Sequence, residues 1–170
     1  MTVGMSLKTT IIRPIGWLCT GRGERLNLSF VVPGPCIPQG RPRAGKRGKK
    51  IIMYDPKESK DYKRYVSLIA RQHAPKKPYE GELSVHLKIY RQIPKSTTKK
   101  DRALYLEGIK RPVVKPDNTN YAKGIEDALN GIIYKDDSQI VDLQVSKFYS
   151  DNPRVEINIK DITQYIGVNL

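Results

Sequence analysis

The sequence predicts a layered α/β (α+β) fold, a mixed sheet of about four strands with about three helices. Two patterns indicate this. Four segments alternate apolar and polar residues with a period of two, as half-buried strands do, and three others place apolar residues three and four positions apart, as helices do. The two kinds of segment follow one another in mixed order, which is typical of layered folds. A chain of 170 residues is long enough for one such domain with its own core.

The N-terminal end differs from the rest of the chain. Residues 1–25 show no clean period and contain four glycines, so we predict a poorly ordered extension followed by one domain over residues 26–170. An arginine and a proline interrupt the apolar residues of the extension, which argues against a secretory signal. Cys19 and Cys36 lack zinc-ligand spacing. Reduced thiols in a cytoplasmic protein are the expected state, although a disulfide is not excluded.

The first strand and the first long helix are predicted from the residues before position 75. From Leu26 onward, apolar and polar side chains alternate up to Val32. After a long loop, Asp55 stands as an N-cap with Pro56 in the first helical position. The helix is expected to run to about residue 72, with an apolar stripe formed by Tyr62, Tyr65, Val66 and Ile69.

Three further strands and a short helix are predicted on either side of the central part of the chain. Residues 83–90 alternate strongly, and residues 96–98 offer caps for a short helix that ends near Gly108. Residues 139–149 and 154–160 alternate as well, with an Asp-Asn-Pro turn between them. We therefore expect the last two strands to pair with each other as a hairpin.

The charge of the chain points to a polyanionic partner. The net charge is +14, and it is concentrated in residues 41–64 and 85–115, each of which carries +7, while residues 116–170 carry −4. Nucleic acid is the commonest such partner. An anionic membrane is not expected, because no long apolar run or basic amphipathic helix is present. No small-molecule cofactor is predicted either.

The basic residues give candidate phosphate contacts. Prolines and glycines shape the loop after the first strand, which carries two arginines and then a mobile, lysine-rich tip. An ordinary solvated hairpin loop is the alternative interpretation. The candidate DNA-binding residues are Arg41, Arg43, Lys46, Arg47, Lys49, Lys50 and, next to the central segment, Lys115.

The central segment, residues 115–140, gathers carboxylates at both ends of one helix. Asp117 precedes the helix, which Asn118, Thr119 or Asn120 could cap, and the pair Asp136-Asp137 follows it. Its apolar face is formed by Tyr121, Ile125, Ala128, Leu129 and Ile132, and its polar stripe by Lys123, Glu126, Asp127 and Asn130.

Such oxygen ligands suit Mg²⁺ or Mn²⁺, hard ions that also bind substrate phosphate. A helix of about 11 residues is roughly 16 Å long, so Asp117 and Asp136-Asp137 converge only if the flanking strands lie close together. Lys123 could then hold the phosphate or stabilise charge in the transition state. The alternative is structural: Asp117 caps the helix and the aspartate pair forms a turn.

The stretch KPDNTNYAKGIEDALNGIIYKDDSQI resembles the motif of RusA-type Holliday junction resolvases, and VVPGPCIPQGRPRAG resembles the N-terminal strand and loop of the same family. The resemblance covers about residues 26–160. It implies a homodimeric, Mg²⁺-dependent crossover junction endodeoxyribonuclease of DNA recombination and repair, often encoded by prophages, that makes paired nicks in four-way DNA junctions. It also implies that Asp117, Lys123 and Asp137 are catalytic, with Asp136 beside them.

One position departs from the family motif. The second aspartate, two residues after the first, is Thr119 here, and a threonine hydroxyl is a much poorer ligand for Mg²⁺ than a carboxylate. Asp136 or Asp127 could complete the coordination of a metal held by Asp117 and Asp137, or the metal could bind more weakly, or the protein could be catalytically impaired. We expect retained activity. The alternatives are a non-catalytic protein that binds branched DNA and an RNA-binding accessory protein.

Overall fold

The computed structural model describes residues 25–47 and 50–163, without the side chains of residues 46–52. The predicted N-terminal extension therefore lies almost wholly outside the described residues and stays a prediction. The predicted domain, residues 26–170, is described up to residue 163.

The described residues form six strands, three α-helices and one 3₁₀ turn. The strands are β1 (Asn27–Pro33), β2 (Arg43–Arg47), β3 (Lys50–Tyr54), β4 (Leu83–Gln92), β5 (Ile140–Ser150) and β6 (Arg154–Asp161). The helices are α1 (Lys57–His73), α2 (Lys99–Leu106) and α3 (Asn118–Leu129), and the 3₁₀ turn is Asp137–Gln139. The predicted α+β class with a mixed four-stranded sheet and three helices is confirmed.

Four of the strands form the main sheet in the order β1-β6-β4-β5. β6 is antiparallel to both of its neighbours, and β4 is parallel to β5. The parallel pair requires a long crossover, and the chain supplies it with α2 and α3. A separate two-stranded sheet, β2-β3, stands where we expected a loop with a mobile tip.

The predicted hairpin between the last two strands is wrong. β5 and β6 both pair with β4, which lies between them. Residues 151–153 can bridge the gap because two strand spacings amount to about 10 Å. The physical reason is burial: Leu83, Val85, Leu87 and Ile89 of β4 are almost fully buried, so β4 takes a central position, whereas no residue of β5 is fully buried.

One face of the sheet carries the core. The inward residues of β4 and β6, together with Phe30 and Val32 of β1, pack against α1 and α3. On α1 the buried residues are Ser59, Tyr62, Val66 and Ala70, so the expected stripe is displaced. Tyr65 lies at its margin, exposed, and donates a hydrogen bond to the carbonyl oxygen of Pro33 at 3.2 Å.

Cys36 packs at the edge of this core as a free thiol. Burial raises its pKa to about 12, which makes it a poor nucleophile. Cys19 lies outside the described residues. Among the described helices, none combines the length and the apolar composition that a membrane crossing needs.

Candidate nuclease site

Two cations fix the backbone that leads into α3. The guanidinium of Arg91 donates to the carbonyl oxygens of Lys115 at 3.0 Å and Val114 at 3.3 Å. The ammonium group of Lys147 donates to the carbonyl oxygen of Pro116 at 3.1 Å. Because Arg91 and Lys147 belong to neighbouring strands, β4 and β5, the sheet itself places this segment and the aspartate that follows it.

Asp117 occupies the N-cap position of α3, but its side chain makes no capping hydrogen bond. The caps that we expected, at positions 118 to 120, are therefore not used. The Asn118 side chain instead donates to the carbonyl oxygen of Val145 at 3.1 Å and ties the start of the helix to β5. Asp117 and Thr119 are both exposed, so the carboxylate of Asp117 is accessible to a ligand.

Lys123 connects α3 to the aspartate pair that precedes β5. Its Nζ lies 3.0 Å from Oδ2 of Asp137 and 3.0 Å from Oδ1 of Asp127. The hydrogen bonds to Asp127 and Asp137 raise the pKa of Lys123 well above its usual range. Lys123 is therefore a fixed cation at neutral pH, and the structure brings it together with Asp137 although they are 14 positions apart in sequence.

Asp136 has a structural contact. Its Oδ1 accepts a hydrogen bond from the backbone N–H of Ser138 at 2.9 Å, and its own N–H donates to Oε1 of Gln139 at 3.0 Å. These reciprocal bonds form a capping box on the 3₁₀ turn. The bonds from Ser138 lower the pKa of Asp136, so it stays ionised.

Asp127 contacts a lysine that the sequence analysis did not single out. Its Oδ2 lies 2.8 Å from Nζ of Lys63 on α1, and Lys63 also lies 2.9 Å from Oδ2 of Asp55. Burial raises the pKa of Asp127, but the bonds from Lys63 and Lys123 outweigh it and leave the pKa lowered. Asp55, expected as the N-cap of α1, makes this ion pair instead, and Pro56 takes the N-cap position.

Negative charge gathers on this part of α3. Glu126 is half-buried, and burial raises its pKa; Lys123 opposes the rise, while the nearby carboxylates of Asp137 and Asp127 add to it. Burial is therefore the main reason that Glu126 is hard to ionise, and the carboxylates of Asp137 and Asp127 add a smaller negative potential beside it, which favours a cation.

The described residues do not assemble the full metal cluster that we predicted. Within residues 25–47 and 50–163, no group of three or more His, Cys, Asp or Glu side chains is arranged to hold a metal ion. Among the carboxylates that we predicted as metal ligands, those with no described hydrogen-bond partner are the side chain of Asp117 and Oδ1 of Asp137. These hard donors fit Mg²⁺ or Mn²⁺, which need only one or two protein carboxylates when water and substrate phosphate fill the other positions.

The predicted phosphate contacts lie around β2 and β3. Arg41 and Arg43 are exposed, and the loop before them is held against α1, where the N–H of Gly40 donates to Oγ of Ser59 at 2.9 Å. A Cβ atom at position 40 would lie 2.7 Å from Cγ of Pro56, so this close approach requires glycine. Lys115 is exposed. The side chains of Lys46, Arg47 and Lys50, and all of Lys49, lie outside what is described.

Three residues of the site were missed. Arg91 and Lys147 each occupy the next inward-facing position after an apolar residue, Ile89 in β4 and Val145 in β5. A charged residue at a position where the pattern predicts an apolar one could have indicated a role in the site. Lys63 gave no such signal, because nothing in the local pattern of a helix tells which distant carboxylate its lysine meets.

Comparisons with known proteins cover most of the chain. The family model for endodeoxyribonuclease RusA matches residues 33–160, which is 128 of the 170 residues. The uncharacterized protein YqaN of Bacillus subtilis (strain 168) is 49% identical over 138 residues, which cover 80% of this chain and 97% of YqaN. The matched range contains the whole segment from Lys115 to Ile140, including Asp117, Lys123 and Asp137. The chain therefore belongs to the RusA endodeoxyribonuclease family, a family of enzymes that hydrolyse DNA.

Proposed function

We propose that this chain is a structure-selective endonuclease that resolves Holliday junctions by paired nicks and depends on Mg²⁺, for which Mn²⁺ can substitute. The observation that carries the proposal is the 3.0 Å contact between Lys123 and Asp137. It joins the lysine of the family motif to the later aspartate at a solvent-accessible position, close to the carboxylate of Asp127. Membership of the RusA family supplies the class of reaction.

The metal would be held by Asp117 and Asp137, with Asp136 as a further ligand. When bound, it would polarise the scissile phosphodiester and lower the pKa of the attacking water. Asp127 is a weaker candidate than we expected, because both of its oxygens already accept bonds from lysines.

Lys123 acts as an electrostatic group. Its raised pKa keeps it protonated, so it suits contact with a phosphate oxygen and stabilisation of developing negative charge, and it does not suit proton abstraction. Its side chain is 54% exposed, so a substrate can reach it. The pairs that it makes are worth little in stability, about 0–1 kcal/mol each, because they are largely solvated.

The DNA partner is a four-way junction. We call the two-stranded sheet β2-β3, residues 43–54, the β2-β3 arm. The residues that would contact the DNA backbone are Arg41, Arg43 and Lys115, together with Lys46, Arg47, Lys49 and Lys50 in the sequence of the arm. Phosphate contacts of this kind read branch shape and position the enzyme without sequence information. The net charge of +14 supports this part of the proposal.

The enzyme is proposed to act as a homodimer, because a two-fold axis sets two identical sites against two opposed strands of the junction. The outer edge of β5 is the surface that we assign to the second copy. β5 ends the main sheet, and Val141 and Leu143 are exposed in its uncovered N-terminal half. An open edge with apolar side chains favours pairing with another strand.

A second candidate function rests on Thr119 and on the absence of a three-acid cluster among the described residues. The protein could bind branched DNA without cutting it. This alternative shares the DNA-binding surface with the main proposal and differs only in the chemistry.

The deciding experiment is cleavage of a synthetic four-way junction, with a linear duplex of the same sequence for comparison, in Mg²⁺ and in Mn²⁺. We expect paired nicks in the junction alone, and a loss of rate by roughly 100-fold or more in Asp137→Asn. The control is Asp61→Asn, an exposed residue of α1. If Asp137→Asn cuts as fast as wild type, the site assignment is wrong. Tight junction binding without cleavage in either metal would favour the second function.

A further inference from the structure

A chain of four ion pairs leads from the foot of the β2-β3 arm to the proposed catalytic lysine. Asp55 follows β3 directly and pairs with Lys63 at 2.9 Å, and Lys63 pairs with Asp127 at 2.8 Å. Asp127 pairs with Lys123 at 3.0 Å, and Lys123 pairs with Asp137 at 3.0 Å. Carboxylates and ammonium groups therefore alternate over five side chains from three separate parts of the sequence.

The centre of this chain is a carboxylate with both oxygens occupied. Oδ1 of Asp127 faces Lys123 and Oδ2 faces Lys63. Two cations on opposite oxygens fix the plane of the carboxylate, since rotation would break one or both charge-assisted bonds. With its orientation fixed, Asp127 can hold Lys123 in one place.

Exposure differs along this chain of ion pairs. The exposed fraction of the side chain is 19% for Lys63, 28% for Asp127 and 54% for Lys123. Burial of Lys63 lowers its pKa, but the bonds to Asp127 and Asp55 outweigh this effect and leave the pKa raised. Lys63 is thus a permanent cation and the most sheltered member of the chain, while Lys123 is the most exposed member and can meet a substrate.

Helices α1 and α3, which carry Lys63, Lys123 and Asp127, are joined by a hydrogen bond next to these ion pairs. Oγ of Ser67, one turn after Lys63 on α1, donates to the carbonyl oxygen of Ala128 at 2.8 Å. Ala128 follows Asp127 and lies in the last turn of α3, where helix carbonyls lack partners within the helix. This bond keeps Lys63 opposite Asp127.

We propose that Lys63 is a positioning residue for the reaction: through Asp127 it holds the ammonium group of Lys123 beside Asp137. The inference rests on the proposed function, because it gives Lys63 a role in that reaction. Without Lys63, Lys123 would be the only cation next to Asp127 and would be drawn towards it, away from Asp137 and the phosphate. A displacement of about 1 Å at a reacting group can cost about 100-fold in rate.

The test compares three single variants in single-turnover cleavage of the junction. Lys63→Met removes the charge and should lower kcat by roughly 10- to 100-fold while leaving junction affinity and its salt dependence unchanged. Lys63→Arg keeps the charge and should retain most of kcat. Lys60→Met, an exposed lysine one turn earlier on α1, is the matched control and should behave as wild type. A merely structural role would lower affinity, kcat and the melting temperature together, and would overturn the proposal.

A double-mutant cycle shows whether Lys63 acts through Asp127. In an Asp127→Asn background, Lys63→Met should cause little further loss of kcat, because the group through which it acts is already altered. Losses that multiply would mean that the two residues act independently, and the proposal would then be wrong. A loss in Lys63→Arg as large as in Lys63→Met would also contradict it.

A readout without activity separates this proposal from the proposed function. In a ¹³C NMR titration of the free protein, the pKa of the Asp127 carboxyl should rise in Lys63→Met and stay unchanged in Lys60→Met, because Lys63, unlike Lys60, donates a hydrogen bond to the ionised carboxylate. If wild type does not cut but the pKa rises, the nuclease proposal fails and the Lys63–Asp127 coupling stands. If the pKa does not move, the coupling fails whatever the activity.

Discussion

Thr119 stands two residues after Asp117, where the RusA motif has an aspartate. It is exposed in the first turn of α3, and no hydrogen bond of its side chain is described. Position 119 therefore has room for a carboxylate side chain but carries a hydroxyl. Of the remaining candidate ligands, Asp136 and Asp137 accept hydrogen bonds, and Asp117 has no described hydrogen-bond partner. At the scale of single residues, we therefore propose that this position influences how tightly a divalent ion binds.

We predict that Thr119→Asp lowers the half-saturating Mg²⁺ concentration for junction cleavage. An added carboxylate ligand raises the affinity for a hard cation, and we expect roughly a tenfold change, or about 1.4 kcal/mol. The measurement is a Mg²⁺ titration of the cleavage rate. Thr119→Asn, which adds similar bulk without charge, is the matched control and should not improve binding. Equal metal dependence in Thr119→Asp and wild type would place this position outside the metal site.

The sequence suggests candidate site residues where their chemistry is local. Asp117, Lys123 and Asp137 stand in a recognisable motif, and the structure joins two of them through an ion pair. Lys63 was not predictable, because its partner Asp127 lies 64 positions away and meets it only after α1 packs on α3. Asp136 was predicted as a ligand, with a turn at the aspartate pair as the alternative, and its contact with Ser138 lies in a 3₁₀ turn, as that alternative expected.

The β2-β3 arm is the element that carries most of the proposed DNA contacts. Its two strands pair over five residues each, and Arg41 and Arg43 lie at its base, exposed. The loop that enters it is fixed by the bond between Gly40 and Ser59. Within the described residues, Arg41 and Arg43 are therefore available for phosphate contact.

We predict that the double variant Arg41→Gln/Arg43→Gln weakens junction binding and flattens its salt dependence. If a dimer neutralises about six phosphates, the logarithm of the association constant falls with the logarithm of the salt concentration at a slope of roughly −5. Each lost phosphate contact makes this slope less steep by about 1. The measurement is the dissociation constant over a series of salt concentrations. Arg71→Gln, at the opposite end of α1, is the control. An unchanged slope in the double variant would remove this arm from the DNA interface.

Elements were predictable one at a time, and their pairing was not. The period of two identified β1, β4, β5 and β6, and the capping residue Thr98 of α2 was among those expected. The pattern of β5 and β6 does not reveal that β4 separates them, since alternation reports which face is buried and says nothing about the neighbour. The insertion of β4 follows from its greater burial.

At the scale of the whole molecule, we propose that a second copy pairs with the open edge of the main sheet. β5 is the last strand of the sheet, and its C-terminal half is covered by α2, where the rings of Tyr105 and Tyr149 lie 4.3 Å apart. Only its N-terminal half is open. The N-terminal half of β5 begins at Ile140, shortly after Asp137 in the sequence. If the β5 strands of two copies paired there, the two sheets would become one continuous sheet, with both proposed sites on the same face.

We predict that the protein is a dimer and that Leu143→Lys makes it a monomer. A charge on a pairing edge opposes strand addition, and a monomer should nick one strand of the junction per binding event. Analytical ultracentrifugation gives the mass of the protein in solution. Cleavage of a supercoiled plasmid that carries a cruciform distinguishes a single nick, which gives an open circle, from paired nicks, which give a linear product. Leu143 is 44% exposed, and Leu68→Lys, at a position 62% exposed on α1, is the matched control. A monomeric wild type, or a dimeric Leu143→Lys, would contradict this interface.

The sequence by itself determined the class of fold, the family and the residues of the motif. These depend on short-range patterns: side-chain periodicity, charge and the spacing of carboxylates around one helix. The tertiary structure alone decided that β4 separates β5 from β6, that Arg91 and Lys147 hold the backbone before Asp117, and that Lys63 reaches Asp127. The reason is that these contacts join residues far apart in sequence, and no local period carries information about which distant segments the burial of apolar surface brings together.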